Sequence, residues 1–98
     1  MSGYQLTAAA RLDLLQIWNY LAENRSIAGA DKVARDLRAA IRKVVSSPFL
    51  GHMRPDLTDR PLLFYRVHAY FILSNPKSEP LQVVRVLHSA RDLKSLLQ

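Results

Sequence analysis

The segment from Leu81 to Gln98 (LQVVRVLHSARDLKSLLQ) holds the side chains best suited to chemistry in this sequence. Arg85, His88 and Arg91 lie within and just after an apolar run that is typical of a buried strand. The two guanidinium groups could bind phosphates while the imidazole transfers a proton, as an RNA-cleaving site requires. In the structural alternative, Arg91 pairs with a nearby carboxylate and His88 hydrogen-bonds to the end of the strand.

The predicted strand bears on the choice between these two roles, because side chains on a strand alternate between its faces. One face carries Val83, Arg85 and Leu87, and the other carries Val84, Val86 and His88. Arg85 and His88 therefore start on opposite faces. This arrangement favours the structural role over a shared catalytic site.

Other signals of catalysis or cofactor binding are missing from the sequence. It has no glycine-rich phosphate loop, no nucleophile elbow and no carboxylate pair at glycosidase spacing. With no cysteine, disulfides, thiolate catalysis and cysteine-ligated zinc are excluded. The histidines at 52, 68 and 88 do not show the spacing of metal ligands. The sequence therefore predicts no cofactor and no metal, and it favours a binding protein over an enzyme.

Length and composition predict a single globular domain over residues 1–98. A hydrophobic fraction of 49% with 22% charged residues is ordinary for a folded domain. No apolar run approaches the about 18 residues that a membrane span needs, and Arg11 interrupts any signal-like core. We expect a soluble, cytoplasmic protein with no membrane partner.

The net charge of +6 favours an acidic partner, either a nucleic acid or an acidic protein. Basic residues concentrate between positions 25 and 47, at Arg25, Lys32, Arg35, Arg38, Arg42 and Lys43. A basic stripe on a helix is more often a solvated face than a nucleic-acid site. The charge alone does not choose between the two partners.

The predicted fold class is α+β, with element order βααβββα. The expected elements are a short strand at 4–6, a helix from the cap Thr7 to about Asn24, a helix from the cap Ser26 to Ser46, strands at 62–67, 70–74 and 81–87, and a closing helix at 90–97 capped by Ser89. The two long helices should form an antiparallel hairpin. They should pack on one face of a twisted antiparallel sheet.

The first long helix carries more apolar surface than one core face needs. Its core stripe is Ala10, Leu14, Ile17 and Leu21, and the matching stripe of the second helix is Ala30, Ala34, Leu37, Ile41 and Val44. Leu12, Leu15 and Trp18 lie off that stripe or at its border. Exposed apolar residues of this kind mark a protein interface, although Trp18 is equally suited to packing within its own chain.

Four motifs, in this order and spacing, resemble the ParE branch of the RelE/ParE toxin superfamily over nearly the whole chain. They are Ala10-x-x-Asp13-Leu14-x-x-Ile17-x-x-Tyr20-Leu21, Pro48-x-x-Gly51-x-x-Arg54-x-Asp56-Leu57, Arg66-Val67-x-x-Tyr70-Phe71-Ile72 and Arg85-Val86-Leu87-His88-x-Ala90-Arg91-Asp92-Leu93. The last motif is the most specific of the four. A departure from many relatives is Ser74, where an aromatic residue is expected.

The resemblance implies the toxin of a type II toxin–antitoxin module, paired with a ParD-like antitoxin in a hetero-oligomer. Toxins of the ParE type act on DNA gyrase, whereas relatives of the RelE type cleave mRNA on the ribosome. Those nucleases often carry a more basic tail with a Tyr or His near the end. The tail from Asp92 to Gln98 is apolar and has neither residue, which favours gyrase and contact with nucleic acid only through the antitoxin or the target.

Site residues follow from these expectations. The antitoxin is expected to contact Leu12, Leu15, Trp18, Arg35 and Arg42. The target is expected to contact Arg66, Arg85, His88, Arg91 and Lys94. If the chain were instead a ribosome-dependent endonuclease, Arg85, His88 and Arg91 would be its catalytic residues. A third alternative is a degenerate homologue that only binds its antitoxin.

Overall fold

The computed structural model describes residues 3–98 and has the predicted element order. The elements are β1 (Tyr4–Leu6), α1 (Ala8–Asn24), α2 (Ile27–Ser46), β2 (Leu63–Val67), β3 (Tyr70–Asn75), β4 (Leu81–His88) and α3 (Leu93–Leu96). Helices α1 and α2 form the expected hairpin. The predicted α+β class is therefore confirmed, with strand ends within a residue or so of their predicted positions.

Both long helices begin at the predicted caps. The Thr7 hydroxyl accepts a hydrogen bond from the Ala10 amide at 3.0 Å. The Ser26 hydroxyl does the same for the Gly29 amide at 2.9 Å. Each side-chain oxygen satisfies an amide that has no partner within its helix.

The closing helix α3 is shorter than predicted, and its cap is Asp92 rather than Ser89. The Asp92 carboxylate accepts from the Ser95 amide at 3.3 Å and from its hydroxyl at 2.8 Å. Ser89 is engaged elsewhere, because its amide donates to the carbonyl of Ala69 at 2.7 Å. That bond adds one more link between β3 and β4 just before the chain turns at Ser89-Ala90.

The sheet is mixed, not wholly antiparallel as predicted. Its strand order is β1-β4-β3-β2. The three consecutive strands β2, β3 and β4 pair antiparallel as expected. Strand β1 instead pairs parallel with β4, from Tyr4 opposite Leu81 to Leu6 opposite Val83. A parallel pair needs a long crossover connection, and here the helical hairpin together with β2 and β3 provides it.

The sheet has a hydrophobic core on each face. The helical hairpin covers one face, where the buried residues include Leu37, Ile41, Val44, Ile72, Val83 and Val86. Helix α3 and its flanks cover the other, where the buried residues are Leu62, Phe64, Leu73, Val84, Leu87, Leu93 and Leu97. The two faces therefore present different surfaces to partners.

A β-bulge in β4 changes the predicted alternation. Leu73 pairs with Arg85, whereas Ser74 pairs with Val83, so Val84 has no partner across the strand. Val83 consequently packs under the helical hairpin and Val84 packs under α3, which makes the predicted grouping of Val83 with Arg85 wrong. Ser74 is buried at this register shift.

Asp13 fastens α1 to β4 beyond the end of β1. Strand β1 stops at Leu6, so the following part of β4 has no strand on that side. The buried Asp13 carboxylate accepts the Val86 amide there at 3.0 Å. It also accepts both Nε and Nη2 of Arg85, at 2.7 and 2.9 Å. The bidentate pair and the backbone bond together satisfy a charge that burial would otherwise penalise.

The loop after α2 protects the outer edge of the sheet at β2. The amide and carbonyl of His52 both pair with Phe64, at 3.1 and 2.8 Å. Gly51 adopts a φ of 101°, and a Cβ there would lie 2.7 Å from the Phe64 carbonyl oxygen. Only glycine fits this close approach. This close approach explains why the Pro48-x-x-Gly51 motif has a glycine at position 51.

The tight turn between β2 and β3 is His68-Ala69, as predicted, with His68 at a φ of 54°. Its Nε2 lies 2.7 Å from Oδ2 of Asp36 on α2. Lys32 donates to the same oxygen at 3.1 Å. The turn is therefore connected to the helical hairpin at an exposed site.

Replacing Asp13 with Ala should lower the free energy of unfolding by about 3 kcal/mol, because it leaves the Arg85 guanidinium and the Val86 amide unpaired. Urea denaturation followed by circular dichroism measures this loss. Asp59→Ala is the matched control. Asp59 is exposed and forms no ion pair within residues 3–98, so its change should stay within about 0.5 kcal/mol. Equal losses in both variants would contradict the role given to Asp13.

Replacing His68 with Ala should raise the pKa of Asp36, because the hydrogen bond from His68 is the largest cause of its lowered value. NMR titration of the Asp36 carboxyl measures the shift. A lowered pKa in the folded state means that the contact stabilises the fold above the unfolded aspartate pKa of about 3.9 and is lost as the pH falls through the lowered value. Lys32→Gln should raise the pKa less. An Asp36 pKa unchanged by His68→Ala would refute the contact.

Candidate functional site

Arg85 has a structural role in this fold. Its side chain is 23% exposed, and two of its nitrogens bind the Asp13 carboxylate. That hydrogen-bonded pairing raises the pKa of Arg85 above the ordinary arginine value. The structural alternative expected a carboxylate partner for Arg91; the structure gives that partner to Arg85 instead. Two of the three guanidinium nitrogens are therefore committed to Asp13.

His88 hydrogen-bonds at the strand end, as the structural alternative predicted. Its Nδ1 lies 3.0 Å from the Ala90 amide, which donates to it. The ring also packs edge-on against Tyr70, with centroids 5.2 Å apart and planes at 84°. Because Nδ1 accepts, the ring proton of neutral His88 resides on Nε2. No side chain in residues 3–98 accepts from that Nε2.

Arg91 and His88 line a cleft of about 740 Å³ between α1, the His68-Ala69 turn and the end of β4. Arg85 is not among its lining residues, so the three candidate catalytic residues do not converge on one site. The register explains the separation. Arg85 pairs with Leu73 of the core under α3, whereas His88 pairs with Tyr70 of the core under the hairpin.

Four further side chains with functional chemistry line the same cleft, and sequence reasoning did not assign them to a site. They are Tyr20, Arg25, His68 and Tyr70. Only the topology of the fold could have indicated this grouping, because it places the turn joining α1 to α2 and the turn joining β2 to β3 at the same end of the molecule. Burial raises the pKa of the Tyr70 hydroxyl, while the nearby positive charge of Arg25 lowers it in part.

The five residues expected to contact the target do not form one surface. Arg66 lies on β2, with its guanidinium 5.7 Å from the centre of the Phe71 ring and its Nε donating to the His68 carbonyl at 3.1 Å. Lys94 is exposed on α3. Both belong to the side of the sheet that α3 covers. His88 and Arg91 line the cleft instead.

The apolar residues of α1 are exposed as predicted for Leu12 and Leu15, at 52% and 56%. Trp18 is half-buried, and its Nε1 donates to Oδ1 of Asp31 on α2 at 2.9 Å. Trp18 therefore contributes to packing within the helical hairpin. Of the three, Leu12 and Leu15 offer the free apolar surface.

A groove of about 330 Å³ runs between α1 and α2 beside Leu15. Its walls are largely apolar, and its rim carries Arg11 and Arg38. Arg35 and Arg42 are exposed on α2, at i−3 and i+4 from Arg38, so they extend the basic rim. We call these apolar walls and basic residues the hairpin groove. Sequence reasoning missed Arg11 and Arg38 as members.

Within residues 3–98, no group of three or more His, Asp or Glu side chains is arranged to hold a metal ion. Nor does any helix in this range have the length and apolarity to cross a membrane.

Comparison with known proteins agrees with the fold and the motifs. The curated protein Toxin ParE1 of Caulobacter vibrioides is 26% identical over an alignment of 105 positions, which covers 99% of this chain and 99% of that protein. A solved structure described as the chromosomal ParDE TA system from P. aeruginosa superposes with a TM-score of 0.73 at 18% identity. It covers 90% of this chain and 96% of that one, and it shows the shared fold.

The family model of the ParE toxin of the type II toxin–antitoxin system parDE matches residues 4–93. This range runs from β1 to the first residue of α3 and includes all four sequence motifs. The chain therefore belongs to the ParE toxin family.

Proposed function

We propose that this toxin inhibits DNA gyrase by binding it and is neutralised by a ParD-like antitoxin. In this proposal it acts in the cytoplasm, forms a hetero-oligomer with its antitoxin and needs no cofactor. It contacts nucleic acid only through gyrase or the antitoxin. Family membership supports a toxin of this type, and the resemblance of the motifs to the ParE branch supports gyrase as the target.

The observation that favours the proposal over the endonuclease alternative is the pairing of Arg85 with Asp13. An endonuclease built on Arg85, His88 and Arg91 would need Arg85 at the scissile phosphate. The guanidinium is instead bound through two nitrogens to a buried carboxylate. Moving it would leave that charge unpaired in the protein interior, which is costly. We therefore omit Arg85 from the proposed target contacts and retain Arg66, His88, Arg91 and Lys94.

The hairpin groove is the proposed docking site for an amphipathic antitoxin helix. Apolar anchors of such a helix would cover Leu12 and Leu15, which are more than half exposed. Acidic side chains flanking the anchors would face Arg11, Arg35, Arg38 and Arg42. These arginines form no ion pair within residues 3–98. The net charge of +6 adds long-range attraction for an acidic partner.

Purified toxin should block supercoiling of relaxed plasmid by gyrase, or trap gyrase on cleaved DNA, at stoichiometric ratios. An agarose-gel supercoiling assay measures this, and adding the ParD-like antitoxin should restore supercoiling by gyrase.

Intact supercoiling together with arrested translation would contradict the proposal and favour the endonuclease. In that case, His88→Ala should abolish mRNA cleavage in a translation extract. Normal colony growth during expression without antitoxin would indicate a degenerate homologue.

Replacing both Leu12 and Leu15 with Glu should weaken antitoxin binding by at least about tenfold. The variant loses two apolar contacts, and its new carboxylates repel the acidic side chains of the antitoxin. Isothermal titration calorimetry measures the affinity. Phe49→Glu is the control: Phe49 is 72% exposed but lies in the loop after α2, so its replacement should leave the affinity unchanged.

Circular dichroism should show that the Leu12/Leu15 variant keeps its helices, since both side chains project into solvent. Trp18→Glu should instead lower the melting temperature, because Trp18 packs between the helices and hydrogen-bonds to Asp31. Full affinity in the folded Leu12/Leu15 variant would rule out the hairpin groove as the antitoxin site.

A further inference from the structure

We propose that the cleft between α1, the His68-Ala69 turn and the end of β4 binds a nucleotide, through its phosphate and its base. Inhibition of gyrase through surface contacts does not require such a site, so this inference goes beyond the proposed function. The volume of the cleft, about 740 Å³, lies within the range of small-molecule sites, roughly 300–1,000 Å³.

The charge of the cleft selects an anionic ligand. Arg25 and Arg91 line it, and neither forms an ion pair within residues 3–98. Asp13 is the carboxylate among the lining residues, and its charge is already matched by Arg85. Two guanidinium groups that share a concave surface without a matching carboxylate suit a phosphate, which they bind through charge-assisted hydrogen bonds.

His88 adds a directed donor to this positive surface. The Ala90 amide fixes Nδ1 as the acceptor, so the proton on Nε2 is available to a ligand. The Tyr70 ring packs against the imidazole and restrains its orientation. His68, in the turn beside the end of β4, is connected to α2 through Asp36. Both imidazoles are therefore held in place before a ligand arrives, which lowers the entropy cost of binding.

Aromatic side chains make a nucleotide a better fit than a bare phosphate. Tyr20 lines the cleft and is 63% exposed, so its ring is free to stack on a base. Gln16 and Asn24 also line the cleft. Their amides offer both donors and acceptors, as do the edges of a base. The Asn24 Nδ2 already donates to the Tyr20 carbonyl at 2.8 Å, which leaves its oxygen as the accessible acceptor.

The test is titration of the full chain with 5′-AMP, adenosine, inorganic phosphate and a single-stranded trinucleotide at 0.15 M salt, followed by amide NMR. AMP should shift the amide signals of Ala69, His88 and Arg91, and it should bind more tightly than adenosine or phosphate alone. A trinucleotide that binds more tightly than AMP would identify a nucleic-acid strand as the source of the phosphate, and it would contradict the separate proposal that the toxin contacts nucleic acid only through gyrase or the antitoxin. Equal affinities would identify the free nucleotide. Both outcomes support the site.

The double variant Arg25→Gln/Arg91→Gln should bind AMP at least about tenfold more weakly. The matched control is Arg35→Gln/Arg42→Gln, which removes the same charge from the far side of α2 and should change the affinity less than about twofold. Tyr20→Ala should weaken AMP binding but leave phosphate binding unchanged. Equal losses in the two double variants would show general charge attraction and overturn the proposal. AMP that binds no better than phosphate would overturn the nucleotide assignment.

Discussion

The bond network of Asp13 is the constraint on which the rest of the structure depends. Parallel pairing of β1 with β4 ends at Leu6, and the chain then turns into a helix that crosses the open edge of β4. Asp13 takes the place of the missing strand by accepting the Val86 amide. The carboxylate is buried and needs a positive partner, which Arg85 supplies. This network sets the position of α1 against the sheet, and with it the wall of the cleft.

The same constraint separates the chemistry of the chain into distinct regions. Arg85 holds α1 in place through Asp13. The residues available to bind partners or ligands therefore lie on either side of that helix. The hairpin groove combines apolar walls with a basic rim, which suits a protein helix. The cleft combines guanidinium, imidazole and phenol groups, which suits a phosphate and a base. One helix thus takes part in two surfaces of different chemistry, with Leu15 on one and Tyr20 on the other.

Several motif residues have structural roles that the spacing of the motifs alone did not reveal. Asp13 of the first motif and Arg85 of the last are 72 residues apart, yet they form one ion pair. Gly51 is needed because the loop approaches the backbone of Phe64 too closely for a side chain. Arg54 and Asp56 of the same motif bind each other through two hydrogen bonds, at 3.0 and 2.8 Å. These contacts show how residues of three of the four motifs serve one fold.

The sequence by itself determined the order and type of the elements and most of their bounds, since helix caps, apolar periodicity and β-rich runs are local properties; the cap and length of α3 were the exception. Thr7, Ser26 and the His68-Ala69 turn were predictable for that reason, as was the exposure of Leu12 and Leu15. Only the tertiary structure decided the parallel pairing of β1, the bulge at Val84 and the partner of Arg85. Each depends on which distant segments meet, and a one-residue shift in register reverses the face of every following side chain. For the same reason, the sequence did not predict the cleft lined by Tyr20, Arg25 and Arg91, which the fold forms by bringing distant turns together at one end.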